Sequence, residues 1–161
     1  MRAFWIALAI VVALLLETML SRLLPGQARV FDPFLIVFVY CALVGGETQG
    51  MLAGMVAGWV QDVHFGGPVL GLSALGKLIV GFAVGIAAGH FLLVGPGARA
   101  LVLLVATLGD AVIFQWLASV FDIPVADLSL GALLSRATVN AALGTALFEL
   151  IDRRWPRTLS E

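Results

Sequence analysis

Long apolar runs broken by short polar punctuation set the rhythm of this chain. A helix that crosses a bilayer needs about 20 predominantly apolar residues, and the stretch from Ala3 to Leu24 meets that length. Arg22, Pro25, Gly26, Gln27, Arg29 and Asp32 then mark a polar connection. Pro33 suits the first turn of a following helix, because its fixed φ is already helical. Phe34 to Val44 is apolar throughout, Gly45 to Gln49 interrupts it, and Gly50 to Val60 is apolar again before Gln61, Asp62 and His64. Gly66, Gly67 and Pro68 read as a turn, Ser73 to Val94 as a span, and Gly95, Pro96 and Gly97 as its end. Ala98 to Phe121 follows, closed by Asp122 and Pro124, then Leu128 to Ile151 and a polar tail from Asp152 to Glu161. The pattern predicts an all-α, polytopic membrane helix bundle. It forms one integral membrane domain over 1–161, with about six transmembrane helices at 3–24, 33–46, 48–62, 73–94, 98–121 and 128–151.

The segment from Pro33 to Asp62 leaves the count open. As one helix it would run about 45 Å at 1.5 Å per residue and hold Gly45-Gly46-Glu47 at mid-membrane. As two short helices joined by a tight turn it places Glu47 and Gln49 near water, and the glycine pair favours this hairpin. Basic residues concentrate on the cytoplasmic side of membrane proteins. With six spans and the N-terminus inside, that side carries Arg2, Arg99, Arg153, Arg154 and Arg157, against Arg22 and Arg29 outside. A five-span topology with the N-terminus outside segregates charge as well, so charge alone leaves both open.

Composition strengthens the membrane reading. The chain is 61% hydrophobic and 12% charged, with mean hydropathy +1.09, where soluble domains carry about a quarter charged residues. So few charges would leave very large apolar patches in water. A net charge of −1 and the lack of any dense Lys/Arg cluster argue against a nucleic-acid partner. The first run resembles a signal peptide in beginning with a basic residue, but no small-x-small cleavage site follows its core, so it reads as a retained span. The lone Cys41 excludes an internal disulfide. His64 and His90 have no partner at helical spacing, so no metal site and no cofactor are expected.

Ionisable groups within spans are expensive and usually face the bundle interior. Here they are Glu17, Asp62, Lys77, Asp110, Arg136 and Glu149; with Asn140, the inner five form a candidate intramembrane polar network. Gly50, Gly54 and Gly58 recur every fourth residue and Asp62 continues the stripe. Lys77, Gly81, Gly85 and Gly89 form a second stripe of the same period. Small residues so spaced let helix backbones approach closely. The stripes predict an antiparallel pair of helices, with Asp62 beside Lys77 at its outer end. The polar groups either bond helices together or line a small-ligand pocket. Catalysis is not expected: the serines lack a nucleophile-elbow context, and neither a paired-histidine metalloprotease motif nor a phosphate-binding loop occurs.

The order of these features resembles the rod-shape-determining MreD proteins of bacteria. The likeness is densest from Asp32 to Gly85. It runs through Pro33 with the apolar helix to Tyr40 and Ala42-Leu43, the glycines from Gly50 to Gly58 closing on Asp62-Val63, and Gly66-Gly67, Leu70-Gly71 and Ala74-Leu75. Gly109 to Phe114 looks like the family's acidic fifth helix, and Asn140 stands where its last helix tends to be polar. Lys77, Arg136, Glu47 and Gln49 depart from the family pattern.

The resemblance implies a non-enzymatic subunit of the cell-elongation machinery in the bacterial inner membrane, and the charge count under six spans supports cytoplasmic termini. It would act beside a bitopic MreC-like protein, a RodA-type polymerase and a penicillin-binding transpeptidase, with the MreB filament as an indirect partner. Phe31, Asp32, Pro33, Tyr40, His64, Gly66 and Gly71 are then candidate partner contacts. The family also resembles in fold the substrate-binding subunits of energy-coupling-factor vitamin transporters. That alternative predicts an outer pocket of Glu17, Lys77, Arg136 and Gln115, with Trp116 stacking on a ligand. A third class, a binder of lipid phosphates at Arg22 and Arg29, is also open.

Overall fold

The computed structural model describes residues 2–23, 30–66, 69–91, 95–125 and 129–154, and every regular element among them is helical. Five helices follow in order: α1 (Arg2–Leu23), α2 (Pro33–Phe65), α3 (Leu72–His90), α4 (Pro96–Val120) and α5 (Leu130–Arg154). Arg29, Gly67, Pro68, Arg157 and the tail from residue 155 lie outside the described residues. Helices α1 to α4 are long and apolar enough to cross a membrane, and the chain is a multi-pass membrane protein. α5 is more polar, carrying Arg136, Glu149 and Asp152 among its 25 residues.

α2 begins as its sequence suggests. Asp32 is the N-cap, its Oδ1 accepting the Leu35 amide at 3.0 Å, and Pro33 holds the first helical position. The helix does not continue straight. Gly46 adopts φ 77°, ψ −167°, a region essentially restricted to glycine. A methyl group placed on Gly50 would sit 3.0 Å from the Ala42 Cα, although eight residues of unbroken helix would hold them about 12 Å apart. Phe34 and Ala57 likewise share one buried cluster with Ile10 and Ala13 of α1. The chain therefore folds back at Gly46, giving α2 two antiparallel arms.

The second arm packs against α3 so tightly that glycine is required. A Cβ on Gly54 would overlap the Lys77 carbonyl, one on Gly58 the Ser73–Ala74 backbone, and one on Gly81 the Gly50 carbonyl. Gly85 meets Glu47 in the same way. Lipid leaves little hydrophobic drive between helices, so such close van der Waals contact carries the association. Gly89 is a correction to the stripe, since nothing lies within 4 Å of the Cβ it would carry; it stands one turn beyond the contact. A Cβ on Gly144 of α5 would meet side-chain ends of Leu103 on α4 and Ile36 on α2, which can shift, so the demand for glycine there is weaker. The main core gathers Leu35, Phe38 and Val39 of α2 with Val80, Leu103 and Phe148. Among the described helices, the backbone of α1 approaches α2 alone.

Candidate functional site

Four helices converge on one buried carboxylate. Asp32 is 2% exposed, and its Oδ2 accepts from Lys77 Nζ at 2.7 Å and from an Arg136 guanidinium nitrogen at 2.8 Å. Lys77 also donates to Asp110 Oδ2 at 3.2 Å, and Arg136 lies 3.5 Å from the same oxygen. Lys77 is itself 2% exposed, its ammonium 5.7 Å from the centre of the Phe38 ring. The Asp32 amide donates to Asn140 Oδ1 at 3.0 Å, Asn140 Nδ2 to Thr107 Oγ1 at 3.4 Å, and Thr107 to the Leu103 carbonyl at 2.7 Å. Helices α2, α3, α4 and α5 are thus bonded through two acids, two bases and a neutral relay.

Lys77, Arg136 and the Leu35 amide together surround the Asp32 carboxylate with donors. Removing charges from water costs several kcal/mol per ion unless partners compensate. Here two cations face two anions.

The structure moves several residues from where the sequence put them. Asp32 and Pro33 are buried and do not present themselves to a partner; Asp32 looked like loop because its partners lie 45 to 108 residues away. Asp62 does not meet Lys77. It is 2% exposed and its Oδ2 accepts the Gly71 and Ser73 amides at 2.9 and 3.0 Å, tying down the start of α3. The register explains this: Gly54 already faces Lys77, so Asp62, two turns on, reaches the residues before α3. Asp110, Arg136 and Asn140 join the hub. Glu17 stands beside it on α1, its Oε1 accepting from Gln61 Nε2 at 3.2 Å. Glu17 Oε2 and Arg136 Nε are buried without a hydrogen-bond partner. Trp116 is 62% exposed on α4 and does not line a pocket with Lys77.

Three further features frame the hub. Beside the end of α2, Val63, His64, Phe65, Gly66, Val69 and Leu70 are all exposed, and Gly71 is half-buried. His64 Nε2 lies 3.2 Å from Thr18 Oγ1. At the opposite end Arg99 of α4 pairs with Glu149, at 3.4 Å, and with Asp152 of α5. Phe31 and Tyr40 line an apolar groove of about 670 Å³ between α1 and the faces of α2 and α5, with Tyr40 against Phe148 at 5.1 Å between ring centres.

No protein-family model, curated protein or solved structure matches the chain. The geometry therefore carries the functional argument by itself. The hub uses its charges on one another, which makes it a latch between helices.

Proposed function

We propose that the chain is a non-enzymatic scaffold subunit of a bacterial cell-elongation complex, of the MreD kind. The observation that carries this reading is the self-neutralised hub of Asp32, Lys77, Asp110 and Arg136. A bundle locked by three buried charges and the partly exposed Arg136 offers rigid outer surfaces, and most of its polar chemistry is spent inside. The exposed apolar rim at Val63, Phe65, Val69 and Leu70 is the contact face for the membrane-proximal part of an MreC-like partner. In lipid, packing and polar contacts supply the affinity between helices, so the lipid-facing sides of α3 and α4 are available to a partner's transmembrane segment. RodA-type polymerase and penicillin-binding transpeptidase join through that partner, and the MreB filament more remotely.

In this reading the chain crosses the bilayer six times, the two arms of α2 forming a hairpin whose turn at Gly46 reaches the cytoplasmic surface. Arg99, Arg153 and Arg154 share that surface, in keeping with the bias of basic residues to the cytoplasm, and both termini lie there. Depletion in a rod-shaped host tests the function: the cells round up, and Leu70→Glu reproduces the rounding while abolishing co-purification with the MreC-like protein. Normal rods on depletion overturn the proposal.

The unpartnered Glu17 Oε2 and Arg136 Nε favour one rival, a substrate-binding subunit of a vitamin transporter. It predicts a ligand-dependent rise in melting temperature with a vitamin and auxotrophy on depletion, neither of which a scaffold produces.

A further inference from the structure

The groove beside α1 has a size and a charged mouth. Its α1 wall runs from Trp5 to Leu16, about 16 Å at 1.5 Å per residue. The groove offers a volume of about 670 Å³. An acyl chain of about 16 carbons, at about 30 Å³ each as for one liquid water, needs about 480 Å³. The groove has room for a lipid tail, which is flexible enough to follow it. Its lining is apolar on every side, from Ala9 and Val12 on α1 to Ile36 and Val37 on α2 and Leu147 and Ile151 on α5.

One end of the groove carries charge. The hub holds the Glu17 end of α1 and the Arg136 end of α5, so the start of α1 and the finish of α5 lie together at the other end. Arg154 follows the lining residues Leu147 and Ile151 at seven and three positions, on the same helical stripe. It is exposed, and the acids nearby, Glu149 and Asp152, are taken by Arg99. α1 opens at Arg2, three residues before the lining Trp5. An aromatic at that depth suits the level of lipid headgroups. Basic residues beside a crevice between membrane helices recognise anionic headgroups, each contributing about 1 kcal/mol near the surface.

We propose that this groove is a binding site for an anionic phospholipid, with acyl chain along α1 and phosphate at the end where α1 begins and Arg154 is exposed. The site is independent of the scaffold reading, and the lipid braces the otherwise weakly held α1 against α5.

Native mass spectrometry of the detergent-purified full chain tests the assignment, with palmitoyl-oleoyl phosphatidylglycerol and the phosphatidylcholine of identical tails as probes. The wild type retains the glycerol lipid about tenfold better. Arg2→Glu with Arg154→Glu, changes at helix ends that leave the melting temperature unaltered, removes that preference and leaves the choline lipid as before. Ala9→Phe, which fills the groove, lowers retention of both. Equal retention of the two lipids by the wild type, or a preference that survives the double reversal, overturns the proposal. So does photo-crosslinking from position 9 to another polypeptide instead of lipid. Should Ala9→Phe not fold, the charge reversal decides alone.

Discussion

Lys77 Nζ lies 2.7 Å from Asp32 Oδ2, both residues 2% exposed. This contact binds the cap of α2 to the second turn of α3 and brings Asp110 and Arg136 into one cluster.

Removing the ammonium leaves two buried carboxylates facing one guanidinium. Lys77→Met is expected to destabilise the protein by about 3–5 kcal/mol, as for other broken buried pairs. Lys77→Met combined with Asp110→Leu leaves Asp32 and Arg136 as a neutral pair and recovers part of that loss. Thermal melting of the purified protein in detergent measures both. A single variant that melts like the wild type would contradict the latch.

Backbone contact between α2 and α3 makes the glycines unequal. Gly54→Val drives a side chain into the Lys77 carbonyl and is expected to cost about 1–3 kcal/mol or more, the scale of overpacking. Gly89→Val meets open space and stays within about 0.5 kcal/mol. Equal effects on the melting temperature would refute the close approach.

Asp62 acts on the start of α3 and not on Lys77. Asp62→Ala is expected to cost about 1 kcal/mol, as loss of a helix cap does, and Asp62→Asn less. With a conservative Lys77→Gln change the two losses add within about 0.5 kcal/mol, because the sites share no partner. A coupling energy well above that, read from a double-mutant cycle, would restore the ion pair expected from the sequence.

The backbone at Gly46 adopts a conformation essentially reserved for glycine. Gly46→Val is expected to destabilise the hairpin by about 1–3 kcal/mol through strain at its φ of 77°. In a Cys41→Ala background, Glu47→Cys is expected to react with a membrane-impermeant maleimide only after the inner membrane is opened. Labelling in intact cells would invert the topology, and no labelling in either case would bury the turn.

Apolar runs and their punctuation made the helices legible, with ends within a few residues at Leu23, Pro33 and Val120, because lipid imposes length and a helical backbone. The reversal near Gly46 was legible too, since two adjacent glycines followed by Glu47 make a poor mid-membrane helix. The small-residue stripes gave the α2–α3 contact, but not its register, which is fixed by which glycine meets which carbonyl. Asp110, Arg136 and Asn140 were visible as polar groups that need partners. Asp32 was not: an Asp-Pro pair after a polar stretch looks like an exposed loop, and only tertiary folding brings residues 77 and 136 onto it. Its one local signal was the N-cap position ahead of Pro33, where a carboxylate is held at a helix start.

With the backbone of α1 close, among the described helices, to α2 alone, the chain is separable at that seam. A cut between the two, with both pieces expressed together, severs one covalent link and spares the latch, the hairpin and the Arg99 clasp. The first helix then has only one surface to find, so a two-piece version assembles in the membrane where a cut inside α3 or α4 does not.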